Sequence, residues 1–358
     1  MSGFTTKEVS EVPNAAALWQ GIVDASPLAW FWHTWSWKAY TLAACAPLSV
    51  QDRSFFIYDD DTLAGLCPLI LQRRLYGGKE WVDAAYYAGA LLPWPLTTTP
   101  EAEDFAFQEI ERRARKAGAA HIGVQLITPV AHEDERMRAE RTALAHGYIA
   151  ASGRSHVVEV PGALAHARER FRRYDKKFSP LFDFDILQGT AVDDIVEEEY
   201  FRLHVLDAGG QFRPRESYAK QADLARKGEA FYVRARHKEG GEAAGILLVS
   251  LYKNSAFDNS VAIDPRFAKL YVGHMLRFRA LEELERRGAA GYGMPLLTEA
   301  PSFLRIPSQK QRGISYFKEG FSRGGSRTIW SIEKFLDAEY LHLYLTERET
   351  ALAGYFEL

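Results

Sequence analysis

Two cysteines in 358 residues are too few for a disulfide-stapled scaffold. Cys45 and Cys67 lie in apolar contexts without metal-ligand spacing, so they read as buried free thiols. No stretch approaches the roughly 18 consecutive apolar residues of a membrane helix, which excludes an integral membrane segment. The N-terminal Met1-Ser-Gly-Phe-Thr-Thr-Lys lacks the apolar core of a signal peptide, and a cytoplasmic location is expected. Low-complexity tracts are missing as well. The net charge of -3 gives no global pull towards nucleic acid or anionic lipid, so any polyanion has to meet a local basic patch. Nothing here fixes an oligomeric state.

What is present is an ordinary globular composition, 47% hydrophobic and 25% charged, on a chain long enough for two cores. The stretch from Phe231 to Met294 organises it. An aromatic strand from Phe231, a polar turn and an apolar strand opened by Ala243-Ala-Gly form a hairpin. A further strand and a helical run from Gly273 to Arg287 then lead into Gly288. The first half repeats this order. Phe55 to Leu71 holds the same strand, turn and small-residue strand, and a helical run from Ala102 to Ala117 leads into Gly118. Gly118 and Gly288 are 170 positions apart, and Gly65 and Gly245 are 180 apart, as expected of one unit used twice. The expected fold class is α/β (α+β), in two tandem domains, 1–160 and 161–358, with Pro161-Gly162 at the seam. Each is a mixed, mainly antiparallel sheet flanked by helices.

Candidate site residues follow along the chain. Trp30, Trp32, Trp35 and Trp37 crowd into eight residues; they cap a core, or Trp35 and Lys38 line a substrate pocket. Tyr86 and Tyr87 follow the first hairpin as Asp258 and Asn259 follow the second, and suit a packed strand or the edge of an acceptor cleft. His121 reads as a core or surface histidine. A helix expected over Ala163–Phe178 carries Arg172, Arg173, Lys176 and Lys177 on one side, either a solvated face or a phosphate-binding stripe. Arg213 lies on the turn after Ala208. Near the C-terminus, Phe317 and Phe321 stand four apart on a short helix, so both rings bury on one side while Lys318 projects elsewhere.

Hairpin, strand, helix and post-glycine strand resemble the acetyltransferase-like fold, whose sheet splays open to admit an activated acyl donor. Two such units ending in Phe317-Lys318-Glu319-Gly320-Phe321 are similar to the FemABX family of aminoacyltransferases, over essentially the whole chain. The resemblance implies an aminoacyl-tRNA ester as donor, an amine on a phosphate-bearing, peptidoglycan-type precursor as acceptor, and no permanently bound cofactor. It also implies that Lys318, with Phe317, lies near the reacting centre. Two features depart from the family pattern: the turn after the second long helix, Gly291-Tyr-Gly-Met-Pro, has no acid, and no long helical arm is present. Acyl-CoA is the competing donor, for N-acylation of a sugar or lipid precursor. The expected pyrophosphate turn, Arg266-Phe-Ala-Lys-Leu-Tyr-Val-Gly273, is too bulky for close backbone approach, which disfavours that donor in the second unit. A non-catalytic ligand-binding relative is the third reading.

Overall fold

A computed structural model describes residues 3–86, 91–126, 141–150, 153–297, 307–321 and 326–356. In chain order it holds β1 (Phe4–Glu8), α1 (Ala15–Ala25), α2 (Trp35–Cys45), β2 (Gln51–Asp52), β3 (Phe55–Asp59), β4 (Thr62–Cys67), β5 (Ile70–Tyr76) and β6 (Lys79–Ala84). Next come β7 (Leu92–Pro93), β8 (Leu96–Thr97), α3 (Pro100–Lys116), β9 (Ala119–Leu126), β10 (Ile149–Ala150) and β11 (Gly153–Glu159). The second half runs α4 (Ala163–His166), α5 (Glu169–Phe178), β12 (Phe182–Leu187), α6 (Asp194–Ala208), α7 (Arg215–Arg226), β13 (Ala230–His237), β14 (Ala243–Tyr252) and β15 (Ser255–Ile263). It closes with α8 (Val272–Arg286), β16 (Gly291–Leu297), α9 (Gln309–Lys318), β17 (Ser326–Phe335) and α10 (Ala338–Phe356).

These elements form two compact units that are not consecutive halves. One comprises Met1–Gly153, Ala300–Pro307 and Thr328–Leu358, the other Arg154–Glu299 and Ser308–Arg327. The C-terminal strand and helix return to the first unit for two physical reasons. β17 pairs antiparallel with β9, Trp330 opposite Leu126 through Phe335 opposite His121. Tyr340 of α10 is buried against Trp81, and its hydroxyl donates to Asp83 at 3.2 Å. In the second unit the sheet order is β12-β13-β14-β15-β16-β11, antiparallel throughout except for β15 with β16. A core of Phe171, Phe231, Leu247, Leu276, Tyr292, Met294 and Phe321 fills the space beneath α8.

The repeat is visible at the level of single contacts. Gly65 pairs with Ile57 beside a β-bulge, and Gly245 pairs with Ala235 beside another. A Cβ on either glycine would come within about 3 Å of the neighbouring strand or helix: 3.1 Å from the Leu96 carbonyl oxygen at Gly65, 3.0 Å from Val272 at Gly245. Gly118 and Gly288 both adopt φ of +70° just past a helix end, where a side chain would be strained. Buried Glu109 of α3 holds Arg112 and Arg113 at 2.7 and 2.6 Å; buried Glu283 of α8 holds Arg286 and Arg287 at the same distances. Arg113 then covers Phe55, and Arg287 covers Phe231.

The continuous helix expected over Ala163–Phe178 is instead split into α4 and α5. Ala167 and Arg168 are extended, and the Arg168 amide donates to the Gly320 carbonyl at 2.8 Å, so the chain gives up a helical turn to dock that carbonyl. Cys45 and Cys67 are buried free thiols; burial pushes Cys45 up to about 12 and Cys67 well above the usual thiol range. Among the described residues no helix is long and apolar enough to cross a membrane.

Candidate active site

β15 and β16 run side by side for three residues only, Ser255–Phe257 opposite Gly291–Gly293. Past that point they separate: Met294 of β16 pairs with His156 of β11, while Asp258 of β15 is taken up by Arg277 of α8. The pair is bidentate, with guanidinium nitrogens 2.5 and 3.1 Å from the two carboxylate oxygens, and a third nitrogen donates to the Gly273 carbonyl at 3.0 Å. Both side chains are buried, where an ion pair survives only if its hydrogen bonds are satisfied. The fully buried Tyr292 hydroxyl lies beside Asp258; burial first, and the carboxylate second, push it well above the usual phenol range.

Lys318, the last residue of α9, is half-buried beside this pair. Burial lowers its pKa from 10.5 to about 8; Asp258 works against that shift and Arg277 adds to it. The flanking residues fix its backbone. Ser308 and Gln311 cap the start of α9 reciprocally. Phe317 and Phe321 pack on Phe171, and the Phe171 ring occupies the space a side chain at Gly320 would need, 2.0 Å from an added Cβ. His274 stands edge-on to Phe171 and Phe317, held neutral by burial and by Arg277, its pKa lowered to about 4. His156 is buried as well, lowered to about 4 by burial, then by the charges of Lys318 and Arg168.

The structure therefore gathers three of the expected site residues, Lys318, Phe317 and Asp258, at the point where two strands part. Asn259 occupies the bulge after Asp258, and its amide donates to Ser250 at 2.7 Å. Arg213 is buried between α6 and α7, its guanidinium 4.1 Å over the Tyr218 ring; after burial, its charge helps lower His204 to about 3. His204 in turn meets the Ser260 hydroxyl at 3.1 Å. On α5, Arg172, Arg173 and Lys176 are exposed; Arg172 donates to the Ala165 carbonyl at 3.3 Å and Arg173 lies 3.9 Å from Glu169.

In the first unit a second group forms around Asp52. Lys38 is buried with its ammonium 2.5 Å from that carboxylate and over the rings of Trp35 and Trp19 at 4.5 and 5.3 Å. The buried Tyr86 hydroxyl is pushed well above its usual range by burial and then by Asp52, and it meets no hydrogen-bond partner among the described residues. Tyr87 lies outside the described residues. His121 is buried, 3.2 Å from Glu333. Arg277, His156, Tyr292 and Asp52 were not anticipated. Arg277 left a signal, a lone charge in the buried run His274-Met-Leu-Arg-Phe278, matched by Asp258 in an otherwise uncharged strand.

The turn before α8, where an acyl-CoA pyrophosphate would sit, is filled. Asp264 is buried there and accepts from the Arg266 amide at 3.0 Å and its guanidinium at 2.8 Å. Tyr271 adopts φ of +58° and stacks on Tyr174 with ring centroids 3.8 Å apart. Among the described residues no cluster of three His, Cys, Asp or Glu side chains could hold a metal.

Two units that repeat a hairpin, a long helix and a strand after a positive-φ glycine, the second with its sheet parting beyond a short parallel pairing, define a tandem acetyltransferase-like fold of FemABX type. No sequence family and no curated protein sequence matches the chain. Among solved structures it is similar to FemX, with a TM-score of 0.63 and 11% identity over 95% of this chain and 99% of that one. It is also similar to a tandem GNAT protein from the clavulanic acid biosynthesis pathway, TM-score 0.54 and 13% identity over 93% and 98% of the two chains. L-PGS from Bacillus licheniformis gives a TM-score of 0.52 and 13% identity over 78% of this chain and 85% of that one. At such identities the likeness is one of fold.

Proposed function

We propose that this protein is an acyltransferase that moves an activated aminoacyl group from aminoacyl-tRNA to an amine of a phosphate-bearing cell-envelope precursor. The observation that carries this reading is Lys318, half-buried at the parting of β15 and β16 beside the buried Asp258–Arg277 pair. Amide formation from an ester needs a neutral amine as nucleophile and positive charge near the carbonyl oxygen of the tetrahedral intermediate. With a pKa of about 8, Lys318 is mostly ammonium at neutral pH and supplies that charge without a metal. Phe317 packs its ring under the Arg277 guanidinium at 4.9 Å and against His274. The exposed Arg172, Arg173 and Lys176 on α5 offer a local anion surface on a chain of near-neutral net charge, suited to the phosphates of donor or acceptor. Lys38, Trp35, Tyr86 and Arg213 are further candidates for acceptor binding, as is Asn259.

A second reading, acyl-CoA-dependent N-acylation of a sugar or lipid precursor, is supported by the likeness of fold to the tandem GNAT protein, whose structure is one without AcCoA. The filled turn weighs against it in the second unit, because the Asp264 carboxylate already takes the Arg266 amide and guanidinium that a pyrophosphate would need there. A cell-free assay with labelled donors separates the two: amide formation that stops on RNase treatment supports aminoacyl-tRNA, whereas transfer that continues from acyl-CoA with all RNA destroyed overturns that donor.

A further inference from the structure

We infer that His156 is the proton shuttle of this transfer, taking the proton of the attacking amine and returning it to the leaving oxygen. The inference rests on the acyl-transfer reading above. It starts from strand register. The last pair between β15 and β16 is Phe257 with Gly293, and Gly293 pairs onward with Val157 of β11. The next level, where the sheet opens, holds Asp258 on β15, Met294 on β16 and His156 on β11. Because β15 and β16 have already parted at this level, His156 stands more than two strand spacings from Asp258, beyond about 10 Å at about 4.8 Å per spacing. The register break between Arg154 and His156 puts the extra residue on β16, where three steps from Met294 to Leu297 face two on β11, so β16 bulges just beyond the level of His156.

The groups around it complete the argument. Two charges act on His156 itself, Lys318 from α9 and Arg168 from the head of α5; Asp258 of β15 and Arg277 of α8 act on Lys318, and Tyr292 of β16 lies beside Asp258. Lys318 and Arg168 are cations, and Asp258 is tied to Arg277, so the neutral imidazole is the group in this set suited to receive a proton at neutral pH. The step balances. The amine nitrogen attacks the ester carbonyl carbon and a C–N bond forms; its proton passes to the imidazole while the oxyanion develops beside Lys318. That new negative charge offsets the ammonium and makes imidazolium tolerable. The intermediate then collapses, the C–O bond breaks, and the imidazolium protonates the departing ribose oxygen. Products are an amide and a free hydroxyl, with His156 neutral again.

The test uses the full-length chain with the ester donor and amine acceptor that wild type turns over, and compares His156→Gln and His156→Ala. Expected are folded variants with KM within a few-fold of wild type and kcat lowered by about a hundredfold or more, with added imidazole restoring part of the His156→Ala rate. Independently of turnover, NMR on histidine-labelled protein should find the His156 titration midpoint raised in Lys318→Met. His156→Gln at the wild-type kcat, or a His156 midpoint unmoved by Lys318→Met, overturns the assignment. If wild type itself forms no amide from either ester or thioester donors, the acyl-transfer reading fails and His156 falls with it. An active wild type beside a fully active His156→Gln removes the shuttle alone.

Discussion

Lys318 joins activity to a stability cost at a single side chain. Its folded pKa of about 8 lies below the ordinary 10.5, so between those values the unfolded chain binds the proton that the folded chain has released. Stability contributed at this residue is therefore lower below pH 8 and recovers as pH rises from 8 towards 10.5. Lys318→Met, which keeps much of the stem, should be more stable than wild type at pH 7 by on the order of 1 to 2 kcal/mol. The gap should shrink by pH 10, and urea midpoints at the two pH values measure it; a variant less stable at pH 7 contradicts the buried-charge account. Gly320 offers a second test. Alanine there would drive its Cβ into the Phe171 ring, and the expected loss is about 1 to 3 kcal/mol, read as a fall in Tm. Sequence periodicity foresaw the two phenylalanines of this segment, since a spacing of four puts both on one side. It did not foresee why glycine lies between them, because the ring that demands it is far away in the chain, on α5.

Among the elements, α8 decides how much of the site is held by charge. Asp258→Ala leaves the Arg277 guanidinium buried without its carboxylate and should cost about 3 to 5 kcal/mol. Replacing both residues by leucine should recover most of that loss. Chemical denaturation of the two variants checks it, and equal destabilisation of single and double variants would mean that the pair is not the anchor of the cleft. Local pattern made the hairpins and both long helices legible, and the apolar strand expected to open at Ala243-Ala-Gly is β14. The break between α4 and α5 was hidden, since Ala163–Phe178 has no proline and no internal glycine; a long-range bond to Gly320 imposes it. The repeat had a stronger signature than the glycine spacing used to find it. Glu109-Ile-Glu-Arg-Arg and Glu283-Leu-Glu-Arg-Arg recur on α3 and α8 and make the same ion pairs.

For the whole molecule, a linear division could not reveal that Thr328–Leu358 belongs with the first unit, because strand pairing across about 200 residues leaves no mark in local sequence. Burial sets the acid limit of the chain. His33, His156, His204 and His274 are all lowered by burial to about 4, 4, 3 and 4, so below pH 6.5 the unfolded chain takes up protons first. Stability should fall as pH drops from 6.5 towards 4, by about 1 kcal/mol or more per histidine at pH 5. Asp83, Asp207 and Glu282, raised by burial, act in the opposite sense but nearer the carboxylate range. A urea midpoint unchanged between pH 7 and 5 would contradict this balance. The central claim, Lys318-dependent amide formation at the parting of β15 and β16, is tested most directly by mass spectrometry of the acceptor after single-turnover reaction with aminoacyl-tRNA. The account predicts one added aminoacyl residue on an amine with wild type, formed about a hundredfold or more slowly with Lys318→Met. Product formed at the same rate by both proteins would contradict it.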